Sequence, residues 1–274
     1  MADKDTTFSS SIAEIYDTYV VPLIFEAYAA DLAARVASGP AHRVLEVAAG
    51  TGVVTRHLVP LLGAQVHYTA TDLNVPMLNR AQERQDDPRI TWQQADAMAL
   101  PFEPGSFDVV VCQFGVMFFP DKVAAYRETC RVLTPGGRFL FNAWDRLEYN
   151  VVAHRVTEAL GKLFPADPPR FMARVPHAYH DVAVIEADLA AAGFTDIVVE
   201  TRDDISRAPS ARDAALAICT GTPTRNEIEA RPGADLEAAT DAAAQALAAE
   251  FGSGAIAAPM RAHIASAVRP SSTA

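Results

Sequence analysis

A chain of 274 residues is long enough for one large domain with an insertion and an ample core. Its net charge of −11 argues against a nucleic-acid substrate, because Lys and Arg contacts to phosphate dominate such binding. Half of the residues are hydrophobic, yet no uncharged apolar run reaches about 18 residues, so no membrane span is expected.

Taken in chain order, the polar start Met1-Ala2-Asp3-Lys4-Asp5 lacks the apolar segment of a secretory signal. Together with the scattered Cys112, Cys130 and Cys219, it points to a reducing cytoplasm with no metal site. Residues 9–37 read as two helices interrupted at Pro22. Strands are expected near 42–48, 66–71, 89–94, 107–112 and 137–143, with helices near 52–62, 75–85 and 121–132 between them. That alternation predicts an α/β fold, a doubly wound Rossmann-like sheet with right-handed crossovers. A helical stretch at 148–164 and a Pro-rich loop through Pro165, Pro168, Pro169 and Pro176 follow, then a helix at 182–192 and a sixth strand at 194–202. The Ala-rich segment 209–251 reads as helices broken near Gly221-Thr222-Pro223 and Arg231-Pro232-Gly233. Arg261 to Arg269 alternates like a seventh strand, completing a seven-stranded mixed sheet, and Pro270 to Ala274 is expected to fray. The expected organisation is a helical lid (1–40), a Rossmann-like core (41–206 with 259–274) and a helical insertion (207–258). The core carries its own helical substrate-side insertion at about 148–182.

The most informative stretch is Val44-Leu45-Glu46-Val47-Ala48-Ala49-Gly50-Thr51-Gly52, where an apolar strand ends in a small-residue turn before a helix. In an open α/β sheet a nucleotide-like ligand meets the backbone at that turn. Gly50 and Gly52 allow close approach and positive φ. Asp72 ends the next strand, where a carboxylate accepts both hydroxyls of a ribose. These features predict an adenosine-containing cofactor. A dinucleotide turn needs G-x-G-x-x-G, and neither Ala48 with Val53 nor Gly50 with Thr55 supplies it. Glu46 would repel a pyrophosphate and suits a positively charged cofactor instead.

These residues resemble the first motif of class I S-adenosylmethionine-dependent methyltransferases, an acidic residue followed by x-G-x-G-x-G, with Ala48 at the first glycine. Asp72-Leu73-Asn74-Val75-Pro76-Met77-Leu78 resembles the family's acidic loop, Gln94-Ala95-Asp96-Ala97 its third-strand motif, and Phe107 to Gln113 its fourth strand. Leu133-Thr134-Pro135-Gly136-Gly137 resembles the turn into the fifth. Within the family, the chain is similar to the branch of ubiquinone/menaquinone C-methyltransferases and small-molecule methyltransferases. The resemblance implies S-adenosyl-L-methionine as cofactor, held by Glu46, Ala48, Gly50, Gly52, Asp72, Leu73, Met77, Asp96, Ala97, Gln113 and Phe114. In that reading Asp72 takes the ribose, Leu73 lies beside the adenine, and Asp96 and Ala97 read its edge. The methyl of Ala48 is expected to narrow the approach to the methionine tail. His154, His177 and His180, in the region after the fifth strand, are the candidate catalytic bases. The implied activity is methyl transfer to a small, largely apolar or aromatic acceptor in the cytoplasm, by a protein that could form a homodimer. A catalytically inert cofactor-binding or regulatory protein and a nucleotide-dependent oxidoreductase are the competing readings.

Overall fold

The computed structural model describes Asp5 and residues 10–271. Most of the polar N-terminal run and the end of the expected frayed tail lie outside the described residues. Seven strands form one sheet in the order β3-β2-β1-β4-β5-β7-β6. In chain order they are β1 (Arg43–Val47), β2 (His67–Asp72), β3 (Ile90–Gln94), β4 (Phe107–Gln113), β5 (Leu133–Trp144), β6 (Thr195–Ala208) and β7 (Ile256–Val268). The first five pair in parallel, and their register brings the carboxyl ends level. Val47 lies opposite Thr71, Asp72 opposite Gln94, and Gln113 opposite Asn142. The strands β1 and β4 are apolar through most of their length because both sheet faces are covered, so Val44, Leu45, Val109, Val110 and Val111 are fully buried.

Contacts divide the chain into two compact units. One holds residues 27–143, 179–202 and 262–274; the other holds 1–26, 144–178 and 203–261. In the first unit the crossovers are α3 (Val53–Leu58), α4 (Val75–Arg84) and α5 (Lys122–Val132), joined by α2, whose residues Glu26–Ala37 begin at the boundary, and α8 (Val182–Ala191). Asp121 caps α5 by accepting the Ala124 N–H at 2.9 Å. The other unit contains α1 (Ser10–Ile15), α6 (Val151–Leu163), α7 (Phe171–Arg174), α9 (Ala211–Thr220), α10 (Thr224–Glu229) and α11 (Leu236–Phe251). There α11 packs on both α9 and α6, and the buried Ala214, Ala217, Ala239 and Ala243 let the helices approach closely.

Several boundaries depart from the sequence expectation, each for a local reason. Pro22 does not break the N-terminal helix: Tyr16–Phe25 widens to π geometry, and the Glu26 N–H donates to Val21 O. The helix after the first turn ends at Leu58 and continues as one 3₁₀ turn around Pro60. The strand β5 starts at Leu133 and carries an irregularity between its pairings with Phe107 and Val109. The strand β6 runs on to Ala208, its buried Ser206 and Ala208 extending the alternation. The strand β7 starts at Ile256, since Ile256, Ala258 and Met260 are buried while Ala257 and Pro259 are exposed. Its direction is antiparallel to β5: Gly136 and Gly137 bond Arg269, while Asp145 N–H donates to Arg261 O.

Candidate active site

The glutamate inside β1 is almost wholly enclosed, at 1% exposure. Its Oε2 accepts the Thr55 hydroxyl at 2.5 Å and the Tyr68 hydroxyl at 2.6 Å. Burial pushes the Glu46 carboxyl up to about 7, against the pull of those two donors, and the neighbouring Asp72 charge adds to the rise. Thr55 and Tyr68 were not singled out from sequence, and they give Glu46 a structural role beside any effect on a cationic ligand.

The turn after β1 takes the left-handed backbone three times, at Ala48 (φ 54), Gly50 (φ 57) and Gly52 (φ 77). Only the two glycines adopt it without strain. Phe114, just past β4, is also left-handed, with φ 50. Two strained non-glycine residues therefore stand at the carboxyl ends of adjacent strands, a pattern associated with functional sites. The Ala48 methyl packs against Gly115. A Cβ on Gly115 would come within 2.5 Å of Ala48 Cβ and 2.7 Å of Cys112 Sγ. The alanine and the glycine are thus a matched pair, and Cys112 is inert because burial pushes its thiol up to about 12.

This pairing makes a prediction for thermal unfolding. Gly115→Ala destabilises the protein, and adding Ala48→Gly restores part of the loss, giving a coupling of about 0.5–3 kcal/mol. Ala48→Gly alone leaves melting little changed, since relief of backbone strain and added chain entropy nearly offset, and leaves S-adenosylmethionine affinity within about twofold because the methyl packs against Gly115. Simple additivity of the two substitutions would show that the side chains do not share the space.

Asp72 is buried at the end of β2. Its Oδ2 accepts the Gly50 N–H at 2.8 Å, and its Oδ1 accepts the Asn74 N–H at 2.8 Å. It therefore ties the glycine turn to the neighbouring strand; Asn74 Nδ2–H also donates to Oδ1, at 3.4 Å, so the lone pairs left for a ligand lie chiefly on Oδ2. Burial raises its pKa, opposed by these backbone donors. Beside it Leu73 is 47% exposed, an apolar side chain presented to solvent at the strand ends. Met77 lies over the turn, with its Cε 3.7 Å from where a Gly50 Cβ would stand. Asp96 is exposed after β3 and its Oδ1 accepts the Met98 N–H at 2.9 Å; Ala97 beside it is buried. Gln113 is half-buried at the end of β4. Thus all cofactor-side residues expected from sequence fall in one unit, along the level ends of β1 to β4.

The donor set fits an adenosine with a cationic tail. Asp72 offers acceptor capacity to a ribose, Leu73 an apolar face to a base, and the two glycines an uncluttered backbone. Thr51 adds a buried hydroxyl with no protein hydrogen-bond partner, at a position that the sequence analysis does not single out.

The three candidate histidines are not gathered together. His154, on α6, is 27% exposed with Nε2 3.9 Å from Glu158. His180 belongs to the unit of the glycine turn, where its carbonyl accepts His263 Nε2–H at 2.9 Å. His177 is buried in the other unit, and its Nδ1 lies 2.8 Å from Asp145 O. That carbonyl requires the hydrogen on Nδ1, leaving Nε2 as the basic nitrogen of the neutral ring. His177 lines a cavity of about 20 Å³, room for one water, with Ile24, Trp144, Met172 and Ile218. Among the described residues no cluster of three or more His, Cys, Asp or Glu could hold a metal, and no helix is long and apolar enough to cross a membrane.

A family model described as a methyltransferase domain matches residues 44–137, the segment holding most of these features. The chain is 34% identical over 174 residues to the ubiquinone/menaquinone biosynthesis C-methyltransferase UbiE of Xylella fastidiosa, covering 59% of this chain and 68% of that protein. It is 30% identical over 166 residues to the UbiE protein of Saccharophagus degradans, covering 56% and 67%. The chain thus spans about two thirds of the length of these relatives. In fold it is similar to Haemonchus contortus phosphoethanolamine N-methyltransferase 2, solved with phosphomonomethylethanolamine and S-adenosylhomocysteine. That likeness has a TM-score of 0.62 and 18% identity, over 98% of this chain and 60% of that one. With its strand order, its acidic strand ends and its glycine turn, the chain belongs to the class I S-adenosylmethionine-dependent methyltransferases.

Proposed function

We propose that the protein methylates a small, largely apolar acceptor with a hydroxylated aromatic or quinol ring. The observation that carries this reading is the row of strand ends where buried Glu46, Asp72 and the left-handed 48–52 turn fit S-adenosylmethionine, with the exposed apolar Leu73 beside them. The names of the UbiE relatives support the same acceptor class. The cofactor-side residues proposed from sequence keep their roles here: Asp72 for the ribose, Leu73, Asp96 and Ala97 for the adenine, and the 48–52 turn with Met77, Gln113 and Phe114 for the methionine end. When bound, S-adenosylmethionine supplies an electrophilic methyl on sulfonium. The protein then has two tasks, to hold the nucleophile in line and to take its proton. Positioning is worth roughly 7–11 kcal/mol in effective-molarity terms. A base that takes the phenolic proton leaves charge on the ring, which makes its oxygen or adjacent carbon nucleophilic; among the three candidates His177 offers a neutral ring with its hydrogen fixed on Nδ1. His154, half-buried and 3.9 Å from Glu158, and the half-buried His180 are the weaker candidates for that proton. The three free cysteines suit a cytoplasmic setting.

The test is transfer of labelled methyl from S-adenosylmethionine to a panel of phenols and quinols, with the product position read by NMR. His177→Gln is expected to lower turnover by about 10²–10⁴-fold while cofactor affinity holds. Equal turnover in the variant would remove His177 from the mechanism.

Glu46 makes the reaction's first step pH-dependent. In the folded protein its carboxyl sits at about 7 against 4.5 unperturbed, so it binds its proton more tightly than in the unfolded chain. The stability this adds is fully present below pH 4.5 and is lost as pH rises through about 7. A cationic ligand favours the carboxylate, so cofactor affinity is expected to rise about tenfold between about pH 6 and pH 8. Calorimetry on Glu46→Gln checks this: the slope should be absent there, and a slope equal to wild type would assign it to another group.

A further inference from the structure

Asn142 interrupts the apolar run Phe139-Leu140-Phe141-Asn142-Ala143-Trp144 of β5. The side chain is 0% exposed, and neither its Nδ2 nor its Oδ1 has a hydrogen-bond partner. A buried amide with both ends unpaired loses its hydration and recovers nothing from the protein, so folding alone gives no reason to keep it. A leucine would fill similar space without that loss. The amide sits opposite Gln113 across β4 and β5, at the carboxyl ends of both strands.

The sheet order says what stands there. Asp96 and Ala97 follow β3, Asp72 ends β2, the 48–52 turn follows β1, and the left-handed Phe114 follows β4. In the family reading these strands meet adenine, ribose, methionine tail and methyl group in turn. The next strand in the order is β5, beyond the methyl end, and Asn142 is its buried polar residue there. Arg138, on the same strand, is committed elsewhere, donating to Val36 O and Pro40 O at 3.0 Å. An amide has an N–H to donate and a carbonyl to accept, which matches a neutral hydroxyl group and not an anion.

We infer that Asn142 is an acceptor-binding residue whose amide holds a ring hydroxyl of the substrate, Nδ2–H donating to the oxygen and Oδ1 accepting its hydrogen. This rests on the hydroxylated-ring reading of the acceptor given above. It adds a specificity rule to that reading: an acceptor whose oxygens are already alkylated cannot satisfy Oδ1. A site built to hydrogen-bond a hydroxyl discriminates strongly against an analogue lacking it.

The experiment compares the wild type with Asn142→Leu and Asn142→Ala. Binding of naphthalene-1,4-diol and of 1,4-dimethoxynaphthalene is measured under argon by ligand-observed NMR, with S-adenosylhomocysteine saturating. The wild type is expected to prefer the diol by about tenfold or more, and both variants to lose that preference. Affinity for S-adenosylhomocysteine stays within about twofold, and Asn142→Leu melts higher than wild type because the unpaired amide is gone. A leucine variant that melts lower or fails to fold would show the amide to be structural. Loss of S-adenosylhomocysteine affinity would assign the amide to the cofactor, and a preference kept by both variants would overturn the inference while leaving the acceptor class standing. If the wild type binds neither compound, the acceptor class itself falls and this inference with it.

Discussion

Asp72→Ala abolishes measurable S-adenosylmethionine binding and leaves the protein folded. The carboxylate stands at the junction of two needs. It accepts the Gly50 N–H at 2.8 Å and so sets the glycine turn, and it is the acidic group placed to receive the ribose hydroxyls. Each charge-assisted bond lost costs about 1.5–3 kcal/mol, so two ribose bonds account for about 3–6 kcal/mol, or roughly 10²–10⁴-fold in affinity. The fold survives because the strands on either side, β1 and β3, pair with β2 through backbone groups that the substitution leaves intact. Thermal unfolding should fall by only a few degrees, reflecting the orphaned Gly50 and Asn74 N–H groups. Calorimetric titration with S-adenosylmethionine decides the matter, and an unchanged dissociation constant in the variant would remove Asp72 from the cofactor site.

Deleting residues 259–274 has the largest expected effect on stability. The strand β7 lies between β5 and β6 in the sheet, so its removal exposes two strand edges at once. Met260, Ala262, Ile264, Ala265 and Ala267 are all buried, and His263 bonds both Thr201 Oγ1 and the His180 carbonyl. Arg269 adds a backbone bond to Gly137 O and guanidinium bonds to the Arg131 and Leu133 carbonyls. The truncated chain is expected to aggregate on expression. Light scattering and thermal unfolding check this, and a truncation at 259 that is monodisperse and equally heat-stable would contradict the role of β7.

The parallel half of the fold was legible because each of its strands is a short apolar run bounded by a turn, a pattern that periodicity reads well. Ends were read less well where tertiary pairing overrides local punctuation. Pro259 reads as a stop, yet it occupies an exposed position of a strand whose buried face continues through Ile256 and Ala258. Pro22 reads as a helix break, yet a wider turn absorbs its missing N–H. In the site, Glu46, Asp72 and the glycine turn were visible because their residue types are unusual at strand ends. Gly115 was not, since its reason is the Ala48 methyl, a contact between residues 67 positions apart in the chain. Thr55 and Tyr68 were hidden for the same reason: nothing in their local sequence says that a buried carboxylate lies across from them. Among the three histidines, spacing offered no ranking, and only burial and the Asp145 carbonyl separate His177 from the others.

The central claim is that the carboxyl ends of β1, β2 and β3 hold S-adenosylmethionine. Isothermal titration of the purified protein with S-adenosylhomocysteine, then with S-adenosylmethionine as competitor and with NADH in a parallel cell, tests it most directly. Saturable binding near one equivalent of S-adenosylhomocysteine, displacement by S-adenosylmethionine, and no heat from NADH are expected. Binding of NADH, or the absence of any heat with S-adenosylhomocysteine, would contradict it.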